Sequence, residues 1–265
     1  MKPKLDIKRY AKRLKQLQLA LAAAGRVGCR RGTCESIHRL RVILRRVRLY
    51  LRLGRFLFKG DDVKNFNRWS KHTSDVLGPV RDRDMALAWL REHPVAQGLT
   101  LRVQAQRRQS WEAARKRLKD MPAFPTVKNW KHGDQSKAGK KLSKRLSRSI
   151  QMAREVVIVY KEPFDPHHSE GWHKLRRVVR RWRYLHELQR SKQELKTDAI
   201  LSAQLALQEQ LGEAQNLNAV WLMVRAAAPE ASAGEIKVLL EQERQDWLIK
   251  AQAALTALQR QTQID

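Results

Sequence analysis

Apolar residues recur every three or four positions along most of the chain, a spacing typical of α-helices, and runs with strand-like alternation are nearly absent. Glycine and proline punctuate this pattern, with residues 25–32 predicted as a loop and Gly78-Pro79 predicted as a helix break. The pattern therefore predicts an all-α protein of about ten helices. These helices are expected at residues 5–24, 35–51, 61–77, 80–93, 100–121, 140–160, 170–185, 195–211, 213–228 and 234–261. Thr33 is the predicted N-cap of the helix at 35–51.

Two segments half a chain apart resemble each other. Residues 35–51 read ESIHRLRVILRRVRLYL and residues 170–185 read EGWHKLRRVVRRWRYL, so that His38 aligns with His173. A second pair follows at nearly the same spacing, with LGPVRDRD at 77–84 and LGEAQNLN at 211–218. Such an internal repeat indicates a duplicated structural unit.

The repeat predicts one domain of two tandem helical bundles, residues 1–130 and 131–265, with about five helices each. We expect a pseudo-twofold axis to relate the two bundles. The segment 121–138 contains Pro122, Pro125 and Gly133 but few apolar residues, so it is the predicted linker.

Each repeated helix carries a row of basic residues next to its apolar stripe. At about 100° per residue, Ile37, Leu40 and Leu44 share one face, and the basic row lies beside that face instead of opposite it. A solvated basic surface is the simpler interpretation of one such helix. Two observations favour instead a central groove lined by both basic rows: the row is duplicated, and few acidic residues lie four positions from its arginines, where they would be helix neighbours.

Net charge narrows the choice of partner. The chain has a formal charge of +29 and a pI of about 10.9, and its basic residues are concentrated before residue 197. This imbalance predicts a polyanionic partner, for which nucleic acid, an anionic membrane and a non-nucleic polyanion are the candidates. No segment reads as a signal peptide or a membrane span, and only Cys29 and Cys34 are present, so we expect a cytoplasmic protein.

The motifs resemble those of the CHAD domain, the conserved histidine α-helical domain. The resemblance rests on three motifs: H-x-x-R-V-x-x-R-R-x-R-x-x-L at 38–51, its second copy from His173, and LGPVRDRD at 77–84. The second half differs in having Gln215, Asn216 and Asn218 where the first half has Arg81, Asp82 and Asp84.

This resemblance implies a helical bundle that binds inorganic polyphosphate through a basic central surface and associates with polyphosphate granules. The CYTH phosphohydrolase domain that often accompanies this family has no counterpart in the sequence. We therefore expect a non-enzymatic protein with no cofactor, no metal site and no catalytic residues. The predicted polyphosphate-binding residues are Arg9, Arg13, His38, Arg41, Arg45, Arg48, Arg52, Lys144, Arg148, His173, Arg176, Arg180 and Arg183.

The chemistry of these residues suits phosphate, sulfate or a polymer of phosphate. An arginine binds phosphate oxygens with two parallel N–H groups and keeps its charge at any working pH. For His38 and His173 three roles remain open: a hydrogen bond between helices, a phosphate contact, or a metal ligand. Weak nucleic-acid binding and a scaffold role on storage granules are the alternative functions, and the sequence leaves the oligomeric state open.

Overall fold

The computed structural model describes residues 7–93, 97–121, 125, 134–165, 169–190, 193–194, 197–227 and 230–264, and these residues are almost entirely helical. The all-α prediction is confirmed. The helices are α1 Ile7–Arg31, α2 Cys34–Leu53, α3 Gly60–Glu92, α4 Gln97–Lys119, α5 Gln135–Val159, α6 Ser169–Gln189, α7 Ala199–Ala227 and α8 Glu230–Ile264, with a 3-10 turn at Arg55–Leu57.

Two predicted helix breaks are wrong, so the described part of the chain has eight α-helices in place of about ten. Helix α3 continues through Gly78 and Pro79, and helix α7 continues through Gly212. Proline removes one backbone N–H donor, but packing of the helix against its neighbours outweighs that local loss. Glycine likewise lowers helix propensity without ending a helix that is held by tertiary contacts.

The predicted loop at residues 25–32 is also wrong, because α1 extends to Arg31. The helix ends at Gly32, whose φ of 58° lies in the left-handed region and whose N–H donates to the carbonyl of Gly28 at 3.1 Å. A side chain at Gly32 would collide with the indole ring of Trp111, so this position needs glycine for two separate reasons.

The first compact unit comprises Met1–Leu87 and Leu101–Arg145. Its helices α1 and α2 pack side by side, and the hydroxyl of Tyr10 donates to the carbonyl of Tyr50 at 2.6 Å in the buried interior. Helix α2 begins as predicted, since the hydroxyl oxygen of Thr33 accepts a hydrogen bond from the N–H of Ser36 at 3.3 Å.

The second compact unit comprises Ala88–Thr100 and Leu146–Asp265. Its core is formed by α5, α6, α7 and α8, and the fully buried indoles of Trp172 and Trp182 are its largest side chains. Buried leucines from α7 and α8 complete this core. The predicted repeat boundary at 130–131 and most of the predicted linker lie outside the described residues, so the division into two repeats stays a prediction.

Candidate anion-binding site

Helix α2 buries the apolar stripe that the sequence predicts. Ile37, Leu40 and Leu44 are at most 1% exposed, and they pack inside the first unit. Arg41, Arg45 and Arg48 are half-buried, whereas His38 and Arg52 are exposed. The basic row therefore borders the core, as its angular position on the helix requires.

Neutral groups of the protein orient the half-buried arginines. Nη1 of Arg41 donates to the backbone carbonyl of Ser74 on α3 at 2.6 Å, and Nη2 of Arg48 lies 3.3 Å from the Ser74 hydroxyl oxygen. The Ser74 hydroxyl in turn donates to the carbonyl of Ser70 at 2.8 Å. Nε of Arg45 donates to the carbonyl of Arg41 at 3.2 Å. These acceptors fix the guanidinium groups without cancelling their charge.

The electrostatics of the row are those of crowded like charges. Burial lowers the pKa of Arg41 and of Arg48, and the neighbouring charge of Arg45 lowers both pKa values further. Asp82 acts in the opposite direction on the pKa of Arg41, as Asp75 does on that of Arg48. All three arginines remain cationic because a free guanidinium titrates far above physiological pH.

His38 lies at the N-terminal end of this row. The side chain is exposed, but the partial desolvation of its ring lowers the pKa of the imidazole, and the charges of Arg81, Arg45 and Arg41 lower it further. The ring is therefore neutral at pH 7 when no anion is present. A bound anion would favour the charged imidazolium and move the pKa in the opposite direction.

Helix α6 repeats the arrangement inside the second unit. Trp172, Leu175 and Val179 are buried, while His173, Arg176 and Arg180 are half-buried beside them. Nδ1 of His173 lies 2.8 Å from the amide oxygen of Gln215 on α7, a hydrogen bond between helices. A hydrogen bond of this kind is one of the roles left open for the two histidines.

A carboxylate balances the charge of Arg183. Arg183 is 8% exposed, and its Nη1 lies 2.5 Å from Oε1 of Glu187 one turn later. Its Nε donates to the amide oxygen of Gln208 at 3.0 Å, and its guanidinium lies 4.6 Å from the ring centre of Tyr184. These contacts give Arg183 a role in packing α6 against α7.

Repeat-equivalent residues make equivalent contacts within each unit. In every case a basic side chain touches a position of the second motif or a residue close to it. In the first unit the contacts are Arg41 with Gly78, Arg48 with Ser74, and Arg107 with Asp84. The corresponding contacts in the second unit are Arg176 with Gly212, Arg183 with Gln208, and Arg244 with Asn218. The predicted groove shared by both rows stays a prediction.

The glycine of the second motif allows an arginine to lie against the helix backbone. A Cβ atom at Gly78 would stand 3.7 Å from Nη1 of Arg41, and one at Gly212 would stand 3.3 Å from Nη2 of Arg176. A Cβ at Gly78 would therefore make ordinary contact with Arg41, whereas one at Gly212 would require the Arg176 guanidinium to shift by a few tenths of an ångström.

The remaining predicted residues lie on α1 and α5. Arg9 and Arg13 are half-buried, and Lys144 and Arg148 are exposed. Sequence reasoning missed Arg145, whose Nε donates to the carbonyl of Leu53 at 2.7 Å and thereby satisfies the C-terminal end of α2. No local pattern could have identified this contact, because 92 residues separate its two partners.

Other charged contacts stabilise the units without joining the basic rows. Nε of Arg107 lies 3.0 Å from the carboxylate of Asp84, and His186 lies 3.1 Å from the carboxylate of Asp198. Nε2 of His93 lies 2.5 Å from a carboxylate oxygen of Glu243. Across the described residues no group of three or more His, Cys, Asp or Glu side chains is arranged to hold a metal ion.

None of the helices, as far as the structure describes them, has an apolar stretch long enough to cross a bilayer. This finding agrees with the charged residues that every described helix contains.

Comparison with known proteins gives one family and two similar folds. The CHAD domain matches residues 14–225. The crystal structure of the CHAD domain from the plant Ricinus communis is similar over 97% of this chain and 93% of that chain, with a TM-score of 0.67 at 18% identity. PptA from Streptomyces chartreusis is similar over 99% of this chain and 100% of that chain, with a TM-score of 0.65 at 16% identity.

Comparison with curated proteins gives no match. The motifs at 38–51 and 77–84, the all-helical fold and the matched residues 14–225 agree with one another. The chain belongs to the CHAD domain family.

Proposed function

We propose that this protein binds inorganic polyphosphate through the basic rows of α2 and α6, and that it acts as a binding protein without catalysis. The observation that carries the proposal is the anchoring of Arg41 and Arg48 on neutral oxygens of Ser74. Side chains held in this way present charge without first losing conformational entropy, which favours binding of an anion.

The spacing of the row suits a linear polymer. Successive arginines at positions 41, 45 and 48 rise about 5 Å along the helix axis, so several phosphates can be contacted in sequence. Each guanidinium offers parallel N–H donors that match the oxygens of one phosphate. Polyphosphate has no bases, so charge and spacing are sufficient for its recognition.

The exposed surface favours polyphosphate over single-stranded nucleic acid. Among the residues that the structure describes, none of the large apolar side chains with high exposure is aromatic. Phe56 is covered by Lys141, whose Nζ lies 4.7 Å from the ring centre. Binding of single strands commonly uses exposed aromatic rings on which bases stack, and the described part of the surface presents no highly exposed ring of this kind.

The test is a titration of labelled polyphosphate of defined length, with DNA as the competitor. We expect unlabelled polyphosphate to displace bound DNA at equal phosphate concentration, and DNA to be a poor competitor for bound polyphosphate. Equal competition in both directions would indicate non-specific charge attraction and would contradict the proposal.

A pair of charge reversals identifies the surface. Arg45→Glu with Arg180→Glu changes the net charge by four units and is expected to weaken polyphosphate binding by at least tenfold. Arg115→Glu with Arg117→Glu on the exposed side of α4 changes the net charge equally and is expected to weaken binding by less than threefold. Similar losses in the two double variants would place the binding surface elsewhere, and circular dichroism checks that both remain folded.

A further inference from the structure

Asp82 is an acidic residue of the first unit that lies among the basic residues Arg41, Arg81 and Arg83. It lies on α3 four residues after Gly78, the position that faces the guanidinium of Arg41. Its carboxylate is half-buried and interacts electrostatically with Arg41, Arg83 and Arg81.

The three arginines around Asp82 have neutral hydrogen-bond acceptors of their own. Arg41 donates to the Ser74 carbonyl at 2.6 Å, Arg83 to the Pro79 carbonyl at 3.0 Å, and Arg81 to the sulfur of Cys34 at 3.0 Å. The neighbouring acid Asp84 is used differently, since it forms a close ion pair with Arg107. Asp82 thus contributes negative charge to the cluster while these guanidinium groups are positioned by other atoms.

Two opposing effects act on the Asp82 carboxyl. Burial raises its pKa, and the charges of Arg41, Arg83 and Arg81 lower it, with burial the larger effect. A carboxylate that is costly to keep ionised in the free protein becomes more costly when an anion approaches Arg41, because a second negative charge is then brought close to it.

The second unit provides a comparison within the same molecule. Asn216 stands at the equivalent position, four residues after Gly212, and its amide donates to the carboxylate of Glu213 at 3.1 Å. Arg176 lies against Gly212 as Arg41 lies against Gly78. The second unit therefore carries a neutral amide at this position, and its nearby acid is Glu213, which stands where the first unit has Pro79.

We propose that Asp82 is an affinity-setting residue that acts as a resident competitor for the anion bound by the arginine row of α2. This inference rests on the proposed function and names the group that regulates it. Groups of high negative charge density would be disfavoured at the α2 row relative to singly charged phosphates within a chain.

The test is a calorimetric titration of the full chain with tripolyphosphate at pH 7.5 and low salt. We expect Asp82→Asn to tighten binding about fivefold, because removing one charge several ångströms from the ligand changes the interaction by that order. Asp82→Glu keeps the charge and is expected to bind like the unchanged protein. Asn216→Asp adds the charge to the second unit and is expected to weaken binding about threefold.

Asp61→Asn is the matched control, since Asp61 is an exposed acid at the start of the same helix, paired with Lys64 at 3.5 Å. It should leave the affinity within twofold of the unchanged protein. Unchanged or weaker binding by Asp82→Asn would overturn the inference, because Asp82 would then orient the arginines or contact the ligand directly. If the unchanged protein and Asp82→Asn both fail to bind tripolyphosphate and long-chain polyphosphate, the proposed function itself is refuted.

Discussion

Replacing Arg107 with alanine is expected to destabilise the protein much more than replacing its repeat equivalent, Arg244. Nε of Arg107 lies 3.0 Å from the carboxylate of Asp84, whose side chain is only 5% exposed. Arg244 makes the corresponding contact with Asn218, which is neutral. The two arginines therefore perform the same geometric task on partners of different charge.

The expected magnitudes follow from what each substitution leaves behind. Without Arg107, Asp84 keeps a buried charge with no compensating cation, and breaking such a pair costs about 3–5 kcal/mol. The second oxygen of Asp84 has no hydrogen-bond partner, so the charge depends strongly on Arg107. Without Arg244, Asn218 loses one hydrogen bond at a half-buried amide, which costs about 1 kcal/mol.

Urea unfolding followed by circular dichroism measures both free energies of unfolding. Arg107 also donates to the carbonyl of Gly32, so its replacement removes a second contact. The double variant Arg107→Ala with Asp84→Asn isolates the charge effect, and it should recover about 2 kcal/mol of the loss in the single variant. No corresponding double variant is needed for Arg244, because its partner Asn218 is already an uncharged amide.

Equal losses in Arg107→Ala and Arg244→Ala would refute this reasoning, because the charge of Asp84 would then contribute nothing. The reasoning would also be refuted if the double variant recovered none of the free energy of unfolding that Arg107→Ala loses. That result would attribute the whole effect of Arg107 to its contact with the end of α1.

Three further predictions concern the binding surface and the glycines. Desolvation and nearby arginines lower the pKa of His38 in the free protein, and a bound anion raises this pKa, so binding takes up a proton. Polyphosphate affinity should therefore rise as the pH falls from 7 to 5. The His38→Ala variant should show a weaker pH dependence in the same titration. Gly32→Ala should lower the free energy of unfolding by more than about 1 kcal/mol because of its positive φ and the ring of Trp111, whereas Gly25→Ala has open space and should be neutral or stabilising. Raising the salt concentration from 0.05 to 0.5 M should weaken polyphosphate binding by more than tenfold with little change in melting temperature, and salt-independent binding would contradict an electrostatic mode.

The sequence predicts the helical fold well because its dominant signal is periodic. The apolar stripe of α2 and the cap at Thr33 are both where the pattern indicates. The wrong breaks at Pro79 and Gly212 share a physical cause. Glycine and proline act on local propensity, whereas the continuity of α3 and α7 depends on packing between helices distant in sequence.

Within the candidate site, the sequence identifies the basic rows but not their support. The positions of Arg41 and Arg48 beside the buried stripe follow from the 3.6-residue period. Their anchoring on Ser74 could not be predicted, because it joins residues 33 and 26 positions apart through one serine of another helix. The pairing of Arg183 with Glu187 can be predicted from the sequence, because an acid four residues from an arginine on a helix is its neighbour.

The two halves differ most clearly in the second motif, where charged side chains are exchanged for amides. At three positions of the second motif, charged Arg81, Asp82 and Asp84 are replaced by neutral Gln215, Asn216 and Asn218. At one of these positions the partner contact persists, since Arg244 bonds Asn218 as Arg107 bonds Asp84. At another, Gln215 forms a hydrogen bond with His173, whereas Arg81 acts on His38 through its charge. An amide preserves hydrogen-bond geometry while removing a net charge. Within the same motif Glu213 stands in place of Pro79 and Leu217 in place of Arg83, so the formal charge changes from zero at 77–84 to −1 at 211–218. Two of the three amides, Gln215 and Asn218, therefore form contacts between helices, but the motif as a whole does not make the second unit more attractive to an anion than the first.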